Sequence, residues 1–449
     1  MHEPTVIIIG AGVSGLAAAC ELARAGVSVC ILEGRDRIGG RVFTYRDPAC
    51  DTPIELGAEF IHGQPLEIWK PLEKARVKIT EVEGQNWCVT DGELSPCDFF
   101  DEVQAILEKM DDSIPDESFR NFLDRQMPNP TTDAERQTKQ HALDYVSGFN
   151  AADPSLVGVH WLVQEQKAEE RIHGDRAFRA RRGYQDLIDV FRKEIGQYRV
   201  ALRTQNVVES VRWRAGEATL TVRQNGKALA LNAPRVLITL PISLLKAQPG
   251  QPGFVQFSPE LPQRKLNAAE KMEMGHVVRV VLRFRRRFWN TIAAPFPGAL
   301  SDMSFLFSQD EWFPTWWTAM PDQAPIITGW APFRCAERLS KLPESSVIER
   351  SLHTLSALLG MSFTDLHRLL ERGYFHDWQS DPFSQGAYSY GRVGADGAQE
   401  ILGAPLHNTL FFCPEKPLIL PATTEPSMEP LPVGTEPPVR YCRCSTKSG

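Results

Sequence analysis

Residues 6–9, Val6-Ile7-Ile8-Ile9, form an unbroken β-branched run that stops at Gly10-Ala11-Gly12-Val13-Ser14-Gly15 and passes directly into Leu16-Ala17-Ala18-Ala19-Cys20-Glu21-Leu22-Ala23. No other feature constrains the fold as much. Such a run reads as a strand buried on both faces, the usual state of a parallel strand covered by helices. The alanine- and leucine-rich run after it is a good helix. Gly26 ends that helix, and a second apolar run, residues 27–32, leads to Glu33. Strand, Gly-x-Gly-x-x-Gly turn, helix, strand and acid together make a dinucleotide-binding βαβ unit. Gly10 permits the tight turn, Gly12 lets a pyrophosphate reach the backbone, and Gly15 lets helix and strand close up. Unpaired N–H groups and the positive dipole end at a helix start hold phosphates. Glu33, roughly 20 residues on, is placed for ribose hydroxyls.

The next residues select the nucleotide. Glu33-Gly34-Arg35-Asp36-Arg37-Ile38-Gly39-Gly40-Arg41 sets a glycine pair beside arginines, offering backbone donors and positive charge to the same diphosphate. The run resembles the E-x-R-x-R-x-G-G-R extension of the flavin amine oxidase superfamily, so FAD is expected rather than NAD. On that resemblance Gly10, Ala11, Gly12, Ser14, Gly15, Glu33, Arg35, Gly40 and Arg41 bind the cofactor. The implied fold class is α/β, a Rossmann-like FAD-binding domain with an interleaved α+β substrate domain.

At 449 residues the chain is long enough for two domains, and 42% apolar with 23% charged residues is ordinary for a globular protein. A net charge of -7 leaves no electrostatic footprint for nucleic acid. The local cluster Arg176, Arg179, Arg181 and Arg182 reads as a solvated face or a phosphate contact. Nine cysteines, odd in number and without a C-x-x-C pair, argue against a disulfide framework. Cys442 and Cys444 form only a C-x-C, too little for a metal site. The first strand lies too near the start for a signal peptide, and no apolar stretch nears the roughly 20 residues of a membrane span. The expectation is a cytoplasmic protein with no membrane or nucleic-acid partner and no metal; the oligomeric state stays open.

Further motifs follow in the order the resemblance implies. Ile54-Glu55-Leu56-Gly57-Ala58-Glu59-Phe60-Ile61-His62-Gly63 resembles the L-G-A-x-x-I-H-G segment of polyamine oxidases, which runs along the flavin ring. This adds Leu56, Gly57, Ala58 and Glu59 to the cofactor set. It makes His62 a candidate for facing substrate, the alternative being a packed core histidine. From about residue 98 to 170 the pattern is helical and charged, broken by Met127-Pro128-Asn129-Pro130 and followed by Gly148-Phe149-Asn150-Ala151-Ala152-Asp153, similar to a turn of bacterial members. Arg182-Gly183-Tyr184 stands where the family has a glycine pair, and Val208 matches a position that meets the adenine.

Met274-Gly275-His276-Val277-Val278-Arg279 places an arginine where many members carry a lysine that holds a water near flavin N5. Arginine stays charged and forks its donors, so the exchange is not neutral; the alternative is a strand residue pointing at solvent. Trp312, Trp316, Trp317 and Trp330 read as core that could also wall an amine pocket. Asp302, Asp310 and Glu311 could attract a polyamine, though loop acids are ordinarily solvated. Trp378-Gln379-Ser380-Asp381-Pro382-Phe383-Ser384-Gln385-Gly386-Ala387-Tyr388 is the most specific match after the fingerprint. Trp378 joins the cofactor set, and Tyr388 matches one wall of the aromatic pair that flanks the amine. Ala387 stands where monoamine oxidases carry a flavin-bonded cysteine, so FAD would be held non-covalently. Arg279, Tyr388 and His62 are the catalytic candidates.

After Leu410-Phe411-Phe412 the family's A-G-E-x-T and G-T-V-x-G-A segments are missing, and Pro- and Thr-rich sequence runs to Gly449. Such composition favours disorder. Codons built from the third base of each codon and the first two of the next, from Pro414 onward, can spell G-E-A-T-D-S-A-G-H-N-G-T-V-H-G-A. The single codon of Met428 forces one of those glycines. The expectation is a one-frame shift near Cys413, leaving a chain that holds FAD poorly.

The implied division is an FAD-binding domain at 1–80, 181–260 and 379–412, a substrate domain at 81–180 (a helical insertion) and 261–378, and a divergent, disordered tail at 413–449. The implied activity is oxidation of an amine C–N bond by hydride transfer to flavin N5, with O2 reduced to H2O2. The alternatives are a flavin desaturase or porphyrinogen-type oxidase, which shares the fingerprint, and an inactive truncated remnant.

Overall fold

The computed structural model describes residues 3–97, 99–293, 296 and 298–413. The expected disordered tail and the frame-shifted segment lie outside them. The organising sheet has five strands in the order Val200–Arg203, β2 (Val29–Leu32), β1 (Val6–Ile9), Arg235–Ile238, Leu410–Phe412. Every pairing in it is parallel. All four residues of β1 are buried, and their alternation decides what covers each face. Val6 and Ile8 pack with Leu16, Ala19, Leu187 and Ile188, from α1 (Val13–Arg24) and the helix Gln185–Ile195. Ile7 and Ile9 pack with Val211, Leu220 and Val222 of a mixed sheet, antiparallel but for its last pairing. That second sheet orders Lys227–Ala233, Glu217–Gln224, Val207–Arg214 and Gln256–Ser258. Full burial on both faces is why β1 carries no polar residue.

The other large sheet has seven strands, Leu370–Phe375, Val277–Phe284, Ile326–Pro332, Thr315–Thr318, Met303–Phe307, Gln85–Thr90 and Glu93–Pro96. Its core holds Trp289, Trp316 and Phe313, all fully buried. Four helices, Phe99–Leu107, Phe119–Gln126, Asp133–Gly148 and Val159–Glu170, stand beside it. The proline-rich break falls between the second and third, and Thr132 with Glu135 forms a reciprocal capping box that starts the third. Among the described residues no helix is long and apolar enough to cross a membrane.

One cysteine expectation needs amending. Cys88 and Cys97 form a disulfide. Asp91 and Gly92 both take positive φ (53° and 81°), closing a two-residue hairpin turn that brings the flanking strands together. The Asp-Gly pair was the sequence signal that nine residues of separation concealed.

Candidate active site

The turn after β1 opens a groove lined by Gly10, Gly12, Ser14, Glu33, Arg35, Gly40, Arg41 and Val208, eight of the residues expected there. Tyr184, Asn206, Thr239, Phe383 and Ser384 also line it and were missed; they come from four segments far apart in the sequence, with no common spacing to connect them. Ala11 and Gly15 lie beneath the surface. Ala11 is fully buried, and its N–H donates to Glu33 Oε2 at 2.8 Å. A Cβ on Gly15 would stand 2.0 Å from the Gly10 carbonyl oxygen.

The groove suits a diphosphate. The helix N-cap is Gly12, no side chain caps it, and no acid sits in its first turn, so its dipole end faces the groove uncompensated. The second glycine turn abuts the first: a Cβ on Gly40 would lie 3.2 Å from Gly12 Cα. Two bare backbones thus meet where a side chain would block an anion. Glu33 is 4% exposed; its Oε1 accepts from the Arg35 N–H at 2.9 Å. Each oxygen keeps acceptor capacity for a ribose hydroxyl. Arg35 does not point freely at phosphate: its guanidinium bonds Asp381 Oδ1 at 2.5 Å and Ser384 Oγ at 2.8 Å. Burial opposes the charge on Asp381, but His376 and Arg35 outweigh it and hold the carboxyl down at about 2.

Leu56, Gly57, Ala58, Glu59 and Trp378 sit beside the groove rather than in its lining. Leu56 accepts from Trp378 Nε1 at 2.7 Å. The Ala58 N–H donates to the Arg41 carbonyl at 3.1 Å. Glu59 is wholly engaged: Oε1 accepts from Arg179 Nε at 2.6 Å, and Oε2 accepts from Arg279 and from Trp317 Nε1 at 3.0 Å. Burial resists its charge, yet Arg179 and Arg279 pull its carboxyl below the usual range. Arg279 is 4% exposed, so the alternative of a solvent-facing strand residue is wrong. Nor is the arginine cluster one solvated face. Arg179 is buried on Glu59, Arg176 pairs with Glu81, and Arg182 with Asp186.

Beyond Phe60 lies a cavity of about 1170 Å³, lined by Phe60, His62, Tyr145, Phe149, Trp317, Trp330 and Tyr388 among others. His62 and Tyr388 therefore come together. The Tyr388 hydroxyl donates to the Phe149 carbonyl at 2.5 Å, and Trp330 Nε1 to Gly148 at 3.1 Å. His62 meets the Phe149 ring edge-on at 5.4 Å, and Tyr145 stacks on Phe149 at 5.3 Å. One turn, 148–150, thus orients three aromatic walls, and burial pushes the Tyr388 phenol well up, keeping it a neutral donor. Of the four tryptophans, Trp317 and Trp330 line the cavity, whereas Trp316 is core. Asp310 and Glu311 line it but Asp302 does not, which removes Asp302 as an amine attractor. Ala387 donates its N–H to Gly275 at 2.9 Å and accepts from Arg41 Nη1 at 2.6 Å.

Residues 13–416 match the family described as flavin containing amine oxidoreductase. Similar proteins include "Polyamine oxidase 2" of Arabidopsis thaliana, 26% identical over 92% of this chain and 83% of its own length. "Lysine-specific histone demethylase 1 homolog 2", also of Arabidopsis thaliana, is 27% identical over 92% of this chain but only 55% of its own length. Among solved structures, putrescine oxidase superposes with a TM-score of 0.74 at 20% identity, covering 92% of this chain and 93% of that one. Cyclohexylamine oxidase from Brevibacterium oxydans gives 0.72 at 18%, over 92% and 93%. A fold with a diphosphate groove beside an aromatic cavity and a family match across most of its length lead to one conclusion: the chain belongs to the flavin-containing amine oxidoreductases.

Proposed function

We propose that the chain is an FAD-dependent amine oxidase, holding the cofactor non-covalently in the groove and an amine in the cavity, with O2 as final acceptor. When bound, the flavin supplies the redox chemistry, taking a hydride from the carbon beside nitrogen and passing both electrons to O2 to give H2O2. The chain's own residues bind, orient and exclude water. The observation that carries this reading is the shared wall. Arg41 lines the groove, its carbonyl accepts from Ala58, and its guanidinium donates to Ala387. Tyr388 and Phe60, each within two residues of those contacts, line the cavity. Groove and cavity thus meet over a few residues. Aromatic walls desolvate an ammonium and favour the neutral amine that hydride loss requires.

A di- or polyamine is the favoured substrate class. Seven carboxylates (Asp91, Asp144, Glu169, Glu170, Asp175, Asp310, Glu311) line the cavity against three arginines (Arg120, Arg334, Arg338), and polyamine oxidases are among the relatives. The family match ends at residue 416, which supports a one-frame shift near Cys413 and weak flavin retention by the chain as it stands. The test is a visible spectrum on adding FAD to the chain with its reading frame restored after Cys413, followed by peroxide release over mono-, poly- and amino-acid amines. Flavin uptake with peroxide from polyamines is expected. Flavin uptake without peroxide from any amine would favour a desaturase or porphyrinogen-type oxidase.

A further inference from the structure

Residues 56–60 belong to no strand, yet they join the groove to the cavity. Their backbone has two outside fixings, Leu56 N–H to Phe43 O at 2.8 Å and Ala58 N–H to Arg41 O at 3.1 Å. The rest of their anchoring comes from side chains. Arg279 Nη1 donates to Gly57 O at 2.8 Å while its other terminal nitrogen pairs with Glu59. Glu59 in turn reaches Arg179 on strand Ala177–Ala180 and Trp317 on strand Thr315–Thr318. One carboxylate therefore ties residues 56–60 to three strands.

From this geometry we infer that Arg279 is a positioning residue: with Glu59 and Arg179 it forms a clamp that locks residues 56–60 and sets two guanidiniums against one carboxylate between groove and cavity. The inference rests on the functional reading above. An ammonium at position 279 would gather its three donors at one atom, whereas the planar fork holds Gly57 O and Glu59 on two separate nitrogens at a fixed angle. The clamp itself holds two guanidiniums and one carboxylate, with Arg279 4% exposed, and the buried Glu55 carboxyl beside it adds negative charge only as pH rises through about 7. Buried positive charge is weakly screened and favours an electron-rich neighbour. The guanidinium of Arg279 lies 5.3 Å from the Trp317 ring and that of Arg179 4.6 Å from Phe60. Both rings line the cavity, so the clamp also sets the near wall of the amine site.

The experiment measures the flavin midpoint potential and the amine kcat and KM in the full chain with its reading frame restored after Cys413 and saturated with FAD, for the unsubstituted chain, Arg279→Met, Glu59→Gln and Arg279→Lys. Arg279→Met removes a positive charge and lowers the potential; Glu59→Gln removes a negative one and raises it. Both lower kcat roughly 10-fold through lost alignment, with KM little changed. Arg279→Lys retains the charge and covers the case in which Arg279→Met fails to fold. Its potential stays near that of the unsubstituted chain, while kcat falls as in the other variants. Shifts of one sign, no shifts, or an Arg279→Lys enzyme as fast as the unsubstituted one would overturn the clamp. A chain with its reading frame restored after Cys413 that takes up no flavin would overturn the functional reading instead, and the inference with it.

Discussion

The groove and the cavity are built from different materials. The groove is mostly backbone: Gly10, Gly12, Gly39 and Gly40 bring two turns together, and Glu33 braces both through the Ala11 and Arg35 N–H groups. The cavity is mostly side chain, with Phe60, Phe149, Trp317, Trp330 and Tyr388 arriving from five separate segments. Backbone sites recognise a group common to many ligands and tolerate little change. Side-chain cavities set the substrate and can drift. Substitutions in the first should therefore abolish function, and those in the second should retune it.

The largest effect is expected at Gly15→Val, where any Cβ meets the Gly10 carbonyl. Overpacking costs of about 1–3 kcal/mol correspond to a roughly 5- to 150-fold loss of FAD affinity, read by flavin fluorescence titration. Next is Tyr388→Ala, which removes one aromatic wall and the bond to Phe149. About 2 kcal/mol lost predicts kcat/KM down roughly 30-fold with FAD affinity unchanged. Equal loss of FAD binding in both variants would erase the distinction between the two regions.

Two buried carboxyls give a smaller, pH-dependent contrast. Asp381, held at about 2 in the folded chain, lies below its ordinary 3.8. Its contribution is complete above that ordinary value and is lost as pH falls toward 2, on the order of 2 kcal/mol. Glu55, raised to about 7 by burial, works the other way. Its contribution is complete below its ordinary 4.5 and is lost as pH rises through 7. Denaturant melts across pH should show acid sensitivity that disappears in Asp381→Asn, and a neutral-pH decline that flattens in Glu55→Gln. The smallest effect is expected at Glu311→Gln, an exposed partner of Arg338 at 2.9 Å, where polyamine KM should shift less than about threefold.

The same contrast explains how much the sequence revealed. Residues 5–41 carried the strand, the helix and most of the groove in one continuous stretch, because glycine spacing and β-branched runs encode local backbone directly. Val207–Arg214 and Glu217–Gln224 were legible as alternating strands for the same reason. Arg279 was located, but its burial was not, since its partners Glu59 and Gly57 lie over two hundred residues away. The Asp381 bond to Arg35 was equally hidden, although both residues stood inside recognised motifs. Trp316 and Trp317 are neighbours that face opposite ways on one strand; only the register of the sheet tells core from cavity.

The central claim is that the Gly10–Gly15 turn with Glu33 and Gly40 is an FAD diphosphate site. The most direct measurement is FAD uptake, by visible absorbance, in the chain with the reading frame restored after Cys413. The account predicts a yellow protein with one FAD per chain, losing its colour in Gly15→Val. A colourless restored chain, or one that keeps its flavin with valine at that position, would contradict it.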